Sequence, residues 1–109
     1  MTAGQVITEV RRITGDTEET RWSSANLLLS IKDGLHETKR KRPDLWISGP
    51  GVMLDPPDTL LSGDVLSLPD QYKAALANYA AWRLYLEESD DQANRERAAV
   101  HYQFFREAL

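Results

Sequence analysis

Four stretches of this chain repeat their apolar residues at helical spacing, and one stretch in the middle does not. In the first, Val6, Val10 and Ile13 stand at i, i+4 and i+7, which places them on one stripe of a helix. Thr2 is suited to cap its start, Arg11 and Arg12 favour its negative end, and Gly15 suits the left-handed residue that closes it. The pattern predicts a helix over about residues 3–14. Residues 16–21 are polar and read as a connection. Ser23 and Ser24 are N-cap residues, and Trp22 before them can fold back onto Leu27 or Leu28 as a hydrophobic staple. Leu27, Leu28, Ile31 and Leu35 then share a stripe, predicting a helix over about 25–42 that stops at Pro43. Gly34 inside it costs about 1 kcal/mol relative to alanine, and so marks a place where another helix comes close.

From 43 to 68 the helical period is lost. All five prolines lie between Pro43 and Pro69. Proline has no backbone donor and a fixed φ, so helices exclude it from their interiors. Leu45-Trp46-Ile47, Val52-Met53-Leu54 and Val65-Leu66-Ser67-Leu68 have strand character. Ser48-Gly49-Pro50-Gly51, Asp55-Pro56-Pro57-Asp58 and Ser62-Gly63-Asp64 between them are turn chemistry. The expectation is an insertion of short extended pieces, with at most one hairpin and no packed sheet. A loop this long in a small domain is usually functional or disordered.

Helical spacing returns near Pro69-Asp70, both suited to a first turn. Tyr72, Ala75, Leu76, Tyr79, Ala80 and Leu86 mark one face of a helix over about 70–87, and Ala74, Ala75, Ala77, Ala80 and Ala81 allow close packing. Ser89 or Asp90 is expected to cap a last helix over about 91–108, with Ala98, Tyr102, Phe105 and Leu109 on its stripe. The last two helices predict an antiparallel hairpin. The fold class is all-α: one domain, a small bundle of about four helices with a long, proline-rich, partly extended insertion between the second and third.

Composition narrows the functional classes. At 109 residues a single modest core is expected, and 41% hydrophobic residues suffice to form it. The absence of cysteine removes disulfides, thiolate catalysis and cysteine-based zinc sites. No apolar run is long enough to span a membrane, and the first residues lack the basic and apolar regions of a secretory signal. The formal charge of −4 argues mildly against general nucleic-acid binding. Most of the acidity belongs to the insertion. Asp44, Asp55, Asp58, Asp64 and Asp70 fall in a stretch without lysine or arginine, and the remainder carries 12 acidic and 13 basic residues.

Few residues carry chemistry. His36 and His101 could share a metal with Glu37 or Glu96, but no His-x3-His or His-Glu-x-x-His spacing supports it. Asp55, Asp58 and Asp64 lack the alternating ligand spacing of a calcium loop. Ser23-Ser24 and Ser62-Gly63 have no nucleophile-elbow pattern around them, and no phosphate-binding glycine loop is present. The expectation is a protein without enzymatic activity, cofactor or metal. The sharpest charged feature is Lys39-Arg40-Lys41-Arg42. It reads as cations on a helix C-terminus, as a contact for phosphates or an acidic protein surface, or as a basic end that meets the acidic insertion of a second copy. Trp46, Val52, Met53, Leu54, Leu60 and Leu61 are apolar residues in the insertion. Trp46 favours folding down onto the helices; Leu60 and Leu61 favour a partner.

The residues now assembled resemble a known family. Trp22-Ser23-Ser24-Ala25-Asn26-Leu27-Leu28-Leu29-Ser30-Ile31-Lys32-Asp33-Gly34 is followed by Arg42-Pro43-Asp44. Leu68-Pro69-Asp70-Gln71-Tyr72-Lys73-Ala74-Ala75-Leu76 then leads to Tyr79-Ala80-Ala81-Trp82-Arg83-Leu84-Tyr85. The stretch from Asn94 through His101-Tyr102-Gln103-Phe104-Phe105 closes the chain. The chain resembles, over nearly its whole length, the small head–tail connector (adaptor) proteins of tailed bacteriophages and phage-like particles. That resemblance implies a helical bundle with an extended insertion, assembled as a ring of typically about twelve subunits. It implies docking beneath the portal protein at the head–tail interface of the virion, after assembly in the host cytoplasm. Such a ring extends the DNA channel, lets genomic DNA pass without sequence-specific binding, and receives the next connector or tail-completion protein. The residues expected at partner interfaces are Lys39, Arg40, Lys41, Arg42, Trp46, Asp55, Asp58, Leu60, Leu61 and Asp64. The insertion then reads as an acidic arm kept extended by its prolines, the most mobile part of the free protein. The alternative is a small helical nucleic-acid-binding or regulatory module that sets Lys39 to Arg42 on phosphates.

Overall fold

The computed structural model describes residues 1–16, 18, 21–88 and 90–109. Part of the connection at 16–21, and Ser89, lie outside the described residues. The protein is mostly helical, with four α-helices and one small two-stranded sheet among the described residues. Helix α1 spans Ala3–Thr14. Thr2 Oγ1 accepts from the Gln5 N–H, and the Gln5 side chain accepts from the Thr2 N–H, so two orphan donors are satisfied at once. Gly15 closes the helix at φ +77°, a conformation that costs glycine nothing. Helix α2 spans Ser24–Lys41, capped by Ser23. Trp22 is buried in the same cluster as Leu27, with Leu28 packed against it, and also meets Tyr85 edge-on at 5.3 Å.

Helix α3 spans Lys73–Glu87, and a 3-10 turn at Asp70–Tyr72 leads into it. Helix α4 spans Gln92–Ala108. Asp91 caps it by accepting from the Ala93 N–H, one residue later than Asp90. Helix α3 is the centre of the molecule and packs against α1, α2 and α4. Its alanines permit this: Ala75, Ala77, Ala80 and Ala81 are all buried, as are Leu76 and Leu84. Leu86, expected on the packed face, is 45% exposed. It turns to solvent because Leu84 and Tyr85 take the two inward positions of that turn. At Gly34 a Cβ would stand 2.9 Å from Tyr79 Cδ1, so α2 and α3 touch where the glycine is. On α4, Ala98 and Phe105 are buried against α3, and Tyr79 packs edge-on to Phe105 at 4.9 Å.

Residues 43–72 link α2 to α3. A 3-10 turn at Pro43–Trp46 follows Arg42 directly, since proline cannot continue the helix. Strands β1 (Ile47–Gly49) and β2 (Val52–Met53) form one antiparallel hairpin around Pro50 and Gly51, the latter at φ +74°. The expected hairpin is thus present, while Leu45 and Trp46 belong to the turn and not to the strand. Residues 62–66 then run beside the chain's start. The Ala3 N–H donates to the Asp64 carbonyl (2.9 Å), the Gly4 N–H to the Ser62 carbonyl (2.7 Å), and the Leu66 N–H to the Met1 carbonyl (2.9 Å). Two of the orphan donors at the start of α1 are satisfied this way. Trp46, Leu60, Leu66 and Leu68 enter the same core as α1, α2 and α3. Among the described residues, no helix is long and apolar enough to cross a membrane.

Candidate interaction surface

The end of α2 brings four cations together, and the fold gives each a partner within the chain. The Lys39 ammonium pairs with the Asp55 carboxylate. Arg40 pairs with Glu37, one turn back on α2. Arg42 holds Asp44 in a two-pronged contact at 3.0 and 2.9 Å, and donates a third bond to the Leu109 carbonyl at 3.0 Å. Lys41 lies over the rings of Tyr102 and Phe105, 5.5 and 5.8 Å from their centroids. These cations hold the Asp55, Asp44 and Glu37 carboxyls below their ordinary range by hydrogen bonding. The pairs are open to solvent, so each adds little to stability. Their consequence is geometric: the basic helix end and the acidic segment meet inside one chain, which removes the need for a second copy to join them.

The other expected interface residues divide. Trp46 is 1% exposed, and its indole N–H has no acceptor among the described residues. Burying the ring, on the order of 200 Å², is worth about 5 kcal/mol, which exceeds the roughly 1–3 kcal/mol lost at the orphan donor. Leu60, expected to await a partner, is 6% exposed and belongs to the core. Trp46 and Leu60 are therefore corrected from interface to interior: the linking segment folds back, and both cover the α2 side of the core. Leu61 next to it is 63% exposed. Asp64 closes the turn, its carboxylate accepting from the Leu61 N–H at 2.9 Å while its carbonyl caps α1. Asp58 is exposed, and its carbonyl accepts from the Lys32 ammonium at 3.3 Å.

Exposed large apolar side chains lie in the linking segment, where Val52, Met53 and Leu61 were already singled out, and on the helices, where sequence reasoning passed them over. On the hairpin these are Ile47, Val52 and Met53, about half exposed, and Val65 lies beyond it at 77%. On the helices they are Leu29 on α2 and Val100 and Phe104 on α4. A signal for the last two was available, since they fall off the Ala98, Tyr102, Phe105, Leu109 stripe. His101 stacks on Tyr85 and bonds the Asn78 side chain at 2.8 Å, and burial lowers its pKa. No group of three or more potential metal ligands lies together among the described residues. Comparison with protein-family models, with curated proteins and with solved structures finds no match.

Proposed function

We propose that this chain is a structural protein of a phage or phage-like particle, a head–tail connector that assembles as a ring beneath the portal. The ring extends the DNA channel and joins head to tail. The observation that carries the reading is the distribution of exposed apolar side chains. They are spread over the hairpin, α2, the end of α3 at Leu86 and α4, with Leu61 and Val65 between elements, and a subunit of a closed ring needs two different contact surfaces. A third serves the portal or the next tail component. The hairpin and Leu61, within the proline-rich stretch, offer that third surface, and Asp58 of the same stretch faces solvent alongside Lys32 of α2. An acidic channel lining lets DNA slide, because it forms no phosphate contacts to be broken. The nucleic-acid-binding alternative drew on Lys39 to Arg42, and no observation favours it now that all four are engaged within the chain.

The test is electron microscopy of the chain mixed with the portal protein encoded nearest to it. A ring of density seated on the portal is the expected result. A chain that stays unbound, yet shifts duplex DNA with a steep salt dependence, would replace this reading with the alternative. Asp58→Lys should leave the fold intact and impair DNA retention in assembled particles. Asp64 is unsuitable for that purpose, because its loss opens the turn that caps α1.

A further inference from the structure

We propose that residues 55–59 form a strap that lifts from α2 as a unit, fastened to it by two lysines, and that its release opens the side of the core behind it. The inference concerns the chain by itself and stands apart from the connector reading. The strap begins after Leu54, whose N–H donates to the Trp46 carbonyl at 2.6 Å, and ends at Leu60, which is 6% exposed and belongs to the core. Both ends are therefore held. Between them the chain makes no main-chain to main-chain hydrogen bond among the described residues. Pro56 and Pro57 have no donor to give. Asp55, Pro57, Asp58 and Thr59 are exposed, and Pro56 alone turns inward.

What fastens the strap is a pair of lysines two turns apart on one face of α2. The Lys39 ammonium pairs with the Asp55 carboxylate, and the Lys32 ammonium donates to the Asp58 carbonyl at 3.3 Å. Exposed contacts of this kind are individually weak and are screened by salt. Behind the strap the packing is open. A cleft of about 290 Å³ is lined by Asp55 and Pro57 of the strap and by Leu35, Trp46, Leu60 and Leu66 of the core. Well-packed interiors leave few voids larger than a water molecule, so little dispersion energy opposes the lifting of this segment. A segment with fixed ends, an unbonded main chain and a loosely packed underside opens on its own, below the cost of global unfolding. Lifting it frees Lys32 and Lys39 together and bares the apolar cleft, so the strap governs when that side of α2 can be contacted.

Trp46 supplies the reporter. Its ring is 1% exposed and its indole N–H has no acceptor among the described residues, so burial alone shields that proton from exchange with water. Trp46→Phe assigns its signal among the three indole resonances in NMR spectra. At low salt the proton should exchange faster than the α3 amides of Leu76 and Ala80, which report the whole fold. Raising sodium chloride from about 0.02 to 0.5 M should speed it about two- to fivefold and leave those amides unchanged. Lys39→Glu should speed it likewise at low salt, and adding Asp55→Lys should restore the slow rate, a rescue that general destabilisation would not show. An indole proton that exchanges no faster than the α3 amides would overturn the proposal, because the strap would then open only with the whole fold. Exchange indifferent to salt and to the charge at 39 would overturn it as well, because the fastening would then lie elsewhere.

Discussion

Arg11 shows how one side chain decides the local fold. It sits on the buried face of α1, 5% exposed, and donates to Asp16 at 2.9 Å and to the Trp22 carbonyl at 3.2 Å. Asp16 also accepts from the backbone of Arg21 and Trp22. The pair therefore holds both ends of the connection between α1 and α2. Removing one partner of a buried ion pair costs about 3–5 kcal/mol. Asp16→Ala should accordingly lower the melting temperature by more than about 10 °C. Asp16→Asn, which keeps an acceptor for the backbone, should cost less. Thermal melts followed by circular dichroism separate the two. His101 gives a pH dependence whose sign follows from its surroundings. Burial lowers its pKa below the ordinary 6.5, so the folded state resists protonation that the unfolded chain accepts. Its contribution is present above about pH 6.5 and is lost as pH falls below that value. Denaturant titrations should show His101→Gln losing less stability than the parent between pH 7 and 5.

At the scale of elements, the close approach of α2 and α3 sets two effects against each other. Alanine at 34 would gain about 1 kcal/mol of helix propensity. It would also press a methyl carbon to 2.9 Å from the Tyr79 ring. That ring cannot move aside easily, because it is held against both Trp82 and Phe105. Overpacking of this kind costs about 1–3 kcal/mol and wins. Gly34→Ala should be less stable by about 1 kcal/mol, measured by chemical unfolding, even though a residue scale alone ranks it as an improvement. The glycine's role as a contact point was legible in the sequence, since a helix former's place had been given up. Its contact, Tyr79, was not, because nothing local to Gly34 names a residue 45 positions away.

For the molecule as a whole, the segment from 43 to 68 is the deciding piece. Read alone, its prolines and charges describe an arm extended away from the bundle. In the fold it divides. Residues 62–66 are bonded to the first turn of α1, and the Met1 amino group meets the Asp70 carboxylate at 2.6 Å. The hairpin at 47–53 instead has exposed side chains along most of its length. Amide exchange should follow this division. Ala3, Gly4 and Leu66 should be protected along with the helices, and Val52 to Thr59 should exchange early. Uniformly fast exchange through 60–68 would restore the extended arm.

The helices and most of their ends were readable from the chain because their causes are local. Caps at Thr2 and Ser23, the stop at Pro43, the left-handed Gly15 and the apolar stripes all act within a turn or two. Turn residues likewise announced a hairpin around Pro50-Gly51. What the chain could not announce was which exposed-looking residue turns inward. Leu60 and Leu61 are identical in type and adjacent, yet one is 6% and the other 63% exposed. That choice follows from the pairing of 62–66 with α1, a contact across about sixty residues that leaves no periodicity behind. The basic run at 39–42 was equally visible and equally undecided. Asp44, two residues from Arg42, is a local partner, but only when α2, the linking segment and α4 came together did Asp55 and the rings of Tyr102 and Phe105 become partners too, because electrostatic and packing energies depend on distance in space and not on order along the chain.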